Sequence, residues 1–308
     1  MSTYDDASLI MYPSGYKAFK IYSLKPTDGS GDLTFTRSST ATRVNESGLI
    51  ESVALNVPRI DYTGGGCGSL LLEPQRTNLY LRSQEFDSGS WLGSSVFTIT
   101  ANDGTSPDGS SNAEKMTPTV AFGAKQTYQQ LVVVAGSTYT VSCFVKSNGY
   151  DYFAIDFSAA FSGFAGNLVR FNVNTGIITS NTSGLNAIIE DYGNGWYRCS
   201  ASDVATNSSA SRVYLKTFQL DNNSNYAGDG VNGQYWYGAQ FEQSSFLTSY
   251  IPTAGSSATR ISDVASVTTP IGVTEITETF SDESTNVITS IPATYTASEG
   301  RIQSVIMI

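Results

Sequence analysis

Asp221, Asn223, Asn225 and Asp229 stand at relative positions 1, 3, 5 and 9 of the run DNNSNYAGDG. That spacing is similar to the oxygen-ligand pattern of a calcium loop. The run carries Tyr226 where such a loop has its turn glycine and Asn232 where it has its bidentate glutamate. An Asx-rich turn has the same composition, so the metal expectation is a weak structural calcium site and no other cofactor. Aromatic rings are the second chemical resource. Cyclic sugars present C–H faces that lie on such rings, while their hydroxyls call for Asn, Asp, Gln and backbone groups around the platform. Tyr128, Tyr150 and Tyr152 lie beside turn signals and are the expected carbohydrate-binding platform.

Histidine is absent from all 308 residues. The commonest general base, the commonest zinc ligand and every Ser-His-Asp arrangement go with it. Acidic residues such as Glu114, Asp151, Asp156, Glu190, Asp203 and Glu242 are scattered, and the sequence singles out no pair for glycoside hydrolysis. No catalytic residue is assigned, and the expectation is a protein that is not an enzyme. With 17 Lys and Arg against 27 Asp and Glu the net charge is −10, which opposes binding to a phosphate backbone, so nucleic acid is not an expected partner. Cys67, Cys143 and Cys199 form no CxxC pair. Cys143 and Cys199 each sit in an apolar-alternating run and read as buried free thiols, with a bridge between them as the alternative; free thiols suit assembly in a reducing cytoplasm. The N-terminal residues show no secretory signal, and no apolar run is long enough to cross a bilayer, so membrane insertion is not expected.

The elements that must position these residues are strands. Only 14% of residues are charged, against 18 Tyr and 15 Phe and many β-formers, which favours an all-β fold. Nine strand-like runs separated by turn clusters lie between about Asn78 and Tyr250: 96–100, 125–134, 138–147, 152–157, 168–173, 187–191, 196–201, 212–219 and 234–240. With no helical period, they predict two packed antiparallel sheets, a jelly-roll β-sandwich over 76–250. Within 138–145, Tyr139, Val141, Cys143 and Val145 share one face, and Phe144 falls on the opposite, outer one. Residues 1–75 read as short apolar runs broken at 13–15, 26–31 and 63–66, an attachment or oligomerisation segment. Residues 251–308 read as a C-terminal extension of two hairpins, 274–280 with 286–291 and 294–296 with 301–308. The apolar SVIMI end calls for burial against the body or another copy. SSTATR at 38–43 and SSATR at 256–260 echo one another as two loop-to-strand transitions.

The runs SGDLTFTRSSTATRVNESGLIE (30–51), LLEPQRTNLYLRSQEFDSGSW (71–91), GNGWYRCS (193–200) and YAGDGVNGQYWYGAQFEQSSFLTSYIP (226–252) resemble tailed-phage virion spike and fibre proteins, of head or tail, that carry a lectin-like, carbohydrate-binding-module-like β-sandwich. The resemblance implies that Trp196 and Trp236 belong to the buried framework. It implies a structural virion protein that decorates the particle and adheres to host surface glycans, with a purely architectural capsid or tail component as the alternative and a glycan depolymerase as the second. It further implies other virion proteins as partners, a homotrimer, assembly in the host cytoplasm and a final place on the virion surface.

Overall fold

A computed structural model describes residues 3–308 except 14, 15, 18, 94, 95, 162 and 182. The turn expected at 13–15 falls partly on residues outside that set. The described residues are strands and turns, with one four-residue helix at Thr3–Asp6 and a 3-10 turn at Ala159–Phe161. No described helix is long and apolar enough to cross a membrane. The chain divides into two compact units: residues 76–259, and a unit built from both 1–75 and 260–308.

Residues 76–259 form an antiparallel β-sandwich. One sheet, the front sheet, has the order Phe97–Gly104, Ala113–Pro118, Gly233–Glu242, Thr138–Asn148, Trp196–Val204 and Asn186–Asp191. The back sheet has the order Ile177–Asn181, Asn167–Asn172, Tyr152–Phe157, Ser209–Phe218, Gly123–Thr127 and Asn225–Tyr226, with Gln130–Val133 also paired to Ser209–Phe218. The chain crosses between the sheets repeatedly, as at 148–152 and 204–209, in the manner of a jelly roll. Strand alternation builds the core: Val141, Cys143, Val145, Cys199, Trp236 and Phe241 of the front sheet meet Phe153, Ile155, Phe157, Val169, Phe171, Val213 and Leu215 of the back sheet. Trp236 is the hub, edge-on to Phe86, Phe97 and Phe153 at 5.4 to 5.7 Å between ring centres. Burial of large rings in such offset geometry is the main stabilising contribution to this core. Cys143 and Cys199 are direct cross-strand neighbours, both buried free thiols.

The other unit corrects the expected division into a separate N-terminal segment and a C-terminal extension, because the two ends of the chain interleave. The C-terminal strand Gly300–Met307 is flanked by Leu9–Met11, Ile276–Phe280 and Ser69–Leu72. Thr294–Thr296 does not pair with it, as the expected hairpin required; it joins Val264–Thr268, which itself pairs with Leu33–Thr36. Val305 and Met307 of the SVIMI end are therefore buried by their own chain, with no exposed surface, and share a core with Leu9, Met11, Leu33, Phe35, Leu70 and Leu72, while Ile308 stays exposed. Part of the burial these runs call for is supplied within one chain, while Tyr12, Phe19, Tyr22 and Leu24 of the N-terminal runs remain exposed.

A buried ionic cluster joins the same ends. Asp263 accepts hydrogen bonds from Arg37 at 2.9 Å and from Arg59, while Glu73 accepts from Arg59 at 2.7 Å and from Arg260. Backbone carbonyls of Ser39, Ala54, Thr42 and Pro74 take further guanidinium N–H groups. Three buried guanidiniums thus share two carboxylates, an arrangement tolerable only where each charge is paired and hydrogen-bonded. The two echoing segments behave alike, since SSTATR leads into the strand Ala41–Val44 and SSATR into Ala258–Arg260.

Candidate glycan-binding face

The two outer faces of the sandwich differ. On the front sheet, Phe144 does face away from the core, but it is fully buried rather than a platform. It packs edge-on to Tyr192 and Tyr250 at 4.9 and 6.0 Å and lies under the Arg198 guanidinium at 4.9 Å. Two segments seal this face. From the first, the Thr105 carbonyl accepts the Trp196 indole N–H at 3.0 Å and Asp108 accepts the Tyr237 hydroxyl at 2.9 Å. From the second, Thr248 donates its N–H and hydroxyl to Glu242, whose carboxyl is pushed up by burial. Trp196 and Trp236 are both buried, Trp196 beneath this cover and Trp236 in the core.

The back sheet presents a different outer face. In 152–157 and 209–218 the residues that do not enter the core are Tyr152, Ala154, Asp156, Arg212, Tyr214, Lys216 and Phe218. Register sets them in rows: Tyr152 lies opposite Asn172 and Phe218, Ala154 opposite Arg170 and Lys216, and Asp156 opposite Leu168 and Tyr214. Gln126 lies beside Lys216, and Gln130 beside Arg212. Cations lie over rings along the whole face: Arg170 over Phe218 at 5.7 Å, Lys216 over Tyr214 at 5.3 Å, and Arg212 between Tyr128 at 4.4 Å and Phe161 at 3.5 Å. Such contacts fix long side chains that would otherwise be mobile. Lys216 is ion-paired with Asp156 and Arg170 with Asp221, the latter at 3.3 Å. Arg212 instead donates to the neutral amide of Gln130 at 3.2 Å.

The tyrosine expectations divide on this geometry. Tyr128 and Tyr152 stand on the back-sheet face and are partly exposed. Tyr128 meets Tyr214 edge-on at 5.0 Å. Tyr150 is a correction: it is 6% exposed, packs against Tyr226 at 5.5 Å and accepts the Asp229 N–H on its hydroxyl. A ring covered in that way offers no stacking surface. Sequence reasoning missed Arg170, Arg212, Tyr214 and Lys216. The signal was present in RVYLKTF, where Arg212, Tyr214, Lys216 and Phe218 alternate with Val213, Leu215 and Thr217.

The four residues of the calcium expectation are each engaged by protein partners or strand pairing. Asp221 is taken by Arg170 and by the Thr179 hydroxyl on the back sheet. Asn223 donates to Gln219, and Asn225 is a strand residue opposite Ala124. Asp229 spends its carboxylate on the N–H groups of Val231 and Asn232 and on the Asn232 amide, which hold it below the usual carboxylate range. The four side chains serve separate turns and pairs, the roles of an Asx-rich turn sequence. Among the described residues no group of three or more His, Cys, Asp or Glu side chains is placed to hold a metal ion.

One carboxyl is strongly perturbed. Glu114 is 3% exposed, and burial together with the neighbouring Asp87 carboxylate pushes it up to about 8. It caps the 85–88 turn by accepting the Phe86 N–H at 2.6 Å.

No family model matches this chain, and no curated protein matches it. Among solved structures it is similar to the Clostridium thermocellum N-terminal endo-1,4-beta-D-xylanase 10B, CBM22-1 and GH10 modules complexed with xylohexaose, at 15% identity and a TM-score of 0.31. The match covers 59% of this chain and 30% of that one. A likeness of that size carries no argument about function.

Proposed function

We propose that residues 76–259 are a glycan-adhesion module of a virion surface protein, and that the outer face of the back sheet is its binding surface. The observation that supports this reading is the set of partly exposed Tyr128, Tyr152, Arg170, Arg212, Lys216, Asn172 and Gln126 fixed on one sheet face over the buried Ala154, Tyr214 and Phe218, while the opposite face is sealed. Sugar recognition needs rings for C–H stacking and charged or amide donors for hydroxyls, held rigid before the ligand arrives. Tyr152 and Tyr128 supply ring surface; Arg170, Arg212, Lys216, Asn172 and Gln126 supply hydrogen bonds. The virion setting, the partnership with other virion proteins and the homotrimer rest on the sequence resemblance alone.

Glycan arrays and host-cell binding with the full-length protein test the reading. Tyr152→Ala and Arg212→Ala are each expected to weaken binding about tenfold or more, on the order of 1 to 3 kcal/mol by analogy with base stacking on aromatics. Phe144→Ala is instead expected to lower the melting temperature, because a buried ring is lost. A parent protein that binds no glycan, or folded face variants that bind as the parent does, would favour the purely architectural reading.

A further inference from the structure

We infer that the unit formed by residues 1–75 and 260–308 holds a second, separate saccharide site, selective for neutral sugars. Its frame is the hairpin Ala41–Val44 and Ile50–Val53, in which Arg43 lies opposite Glu51. The turn is rigid: Asn45 Oδ1 accepts the N–H groups of Ser47 and Leu49 at 2.9 and 3.0 Å, and Gly48 takes the positive φ of 78° that closes it. Glu51 is held at both oxygens, by Arg43 Nε at 2.6 Å and by Asn45 Nδ2 at 3.2 Å. The neighbouring segment is anchored as firmly. Tyr62 donates its N–H to the Val44 carbonyl at 3.0 Å, and the Asp61 carboxylate accepts from Val44 N–H at 2.9 Å and from Arg301 at 3.0 Å.

Between these parts lies an open groove of about 330 Å³, with Ile60 and the rings of Tyr16 and Tyr62 beside Arg43, Asn45 and Glu51. Its volume is at the lower end of the range for small-molecule sites. Two rings offer C–H stacking surface. The Arg43–Glu51–Asn45 set offers both donors and acceptors in planar groups whose geometry is already fixed, which suits vicinal hydroxyls. Charge narrows the ligand class. Arg43 is matched by Glu51, and Glu46 adds a further negative charge to the lining, so acidic sugars are repelled and a neutral pyranose or disaccharide fits.

The test is saturation-transfer NMR and calorimetry on the full chain. The probes are methyl glycosides, disaccharides and polysaccharides of glucose, galactose, mannose and N-acetylglucosamine, with glucuronic acid as the acidic control. The expected result is binding of a neutral probe that Tyr16→Ala and Glu51→Gln weaken about tenfold and that Tyr152→Ala, on the other unit, leaves unchanged. Tyr16 is 36% exposed, so its replacement tests the groove without opening a core. Tight binding of the free methyl glycoside would mark a single-residue ligand, and binding of the polysaccharide alone a chain. The inference is overturned if no neutral probe binds the parent, if only the acidic control binds, or if neutral binding survives both groove variants. Loss of neutral binding in Tyr152→Ala alone would assign it to the back-sheet face and would also overturn this site.

Discussion

Glu114 shows how one side chain can set a pH dependence. Its carboxyl is neutral in the folded protein at a pH where it is ionised in the unfolded chain, because burial and the Asp87 carboxylate move it from 4.5 to about 8. An acid raised in this way contributes stability that is fully present below pH 4.5 and is lost as pH rises through 8, since the unfolded chain releases the proton first. The sandwich is therefore expected to melt at lower temperature at pH 8.5 than at pH 5.5. Glu114→Gln, which keeps the shape and the acceptor for Phe86 N–H, is expected to flatten that slope; an unchanged slope in calorimetric scans would assign the dependence elsewhere. Glu242 acts with the same sign through burial. Neither effect is legible in the sequence, where both residues are acids within strands and only the packing of 82–91 and 244–250 decides their environment. Tyr150 carries the same lesson for the site: it was indistinguishable from Tyr152 in sequence, and Tyr226 and Asp229, distant along the chain, decide that it is covered.

Periodicity made the strands legible. All nine runs read between 96 and 240 fall on strands of the sandwich, the run 125–134 being split into Gly123–Thr127 and Gln130–Val133, and alternation gave the correct inner face for Tyr139, Val141, Cys143 and Val145. Ala113–Pro118 and Ile177–Asn181 escaped notice because a buried glutamate interrupts the first and exposed isoleucines open the second. Pairing was less legible than strand position. The 294–296 and 301–308 runs look like a hairpin because they are neighbours in sequence, yet the strong apolar content of the last strand places it at the centre of a sheet. Deleting residues 300–308 is accordingly expected to abolish cooperative melting of the unit formed by the chain ends, because Leu9, Met11, Leu70 and Leu72 lose their cover. Limited proteolysis should then cut between residues 9 and 72 while 76–259 stays intact; protection of both regions would contradict the central role of this strand. Asp263→Asn offers a smaller perturbation of the same unit, leaving buried guanidiniums undercompensated at a cost of about 3 to 5 kcal/mol.

The two units follow different chain logic. One is continuous from 76 to 259; the other is assembled from both ends and is complete only after the last strand is made. A fragment 76–259 is expected to fold alone with a cooperative transition, whereas 1–75 alone is expected to stay unstructured, since its core partners Ala265, Tyr295, Ile302 and Val305 are missing. Circular dichroism melts of the two fragments check this, and a cooperative transition in 1–75 would contradict it. Composition alone indicated the all-β class, but not the insertion, because contacts between the two ends leave no local pattern in sequence.

The segments that lead into and out of the sandwich are themselves paired, Arg76–Asn78 with Ala258–Arg260, and the hydroxyls of Thr77 and Thr259 lie 2.8 Å apart. A chain laid out in this way is open to gene shuffling. Two breakpoints, one at each of these adjoining strands, would swap the whole sandwich for another while sparing every residue of the split core. Related chains could then diversify in what they touch by trading a cassette, without new packing having to evolve beneath it.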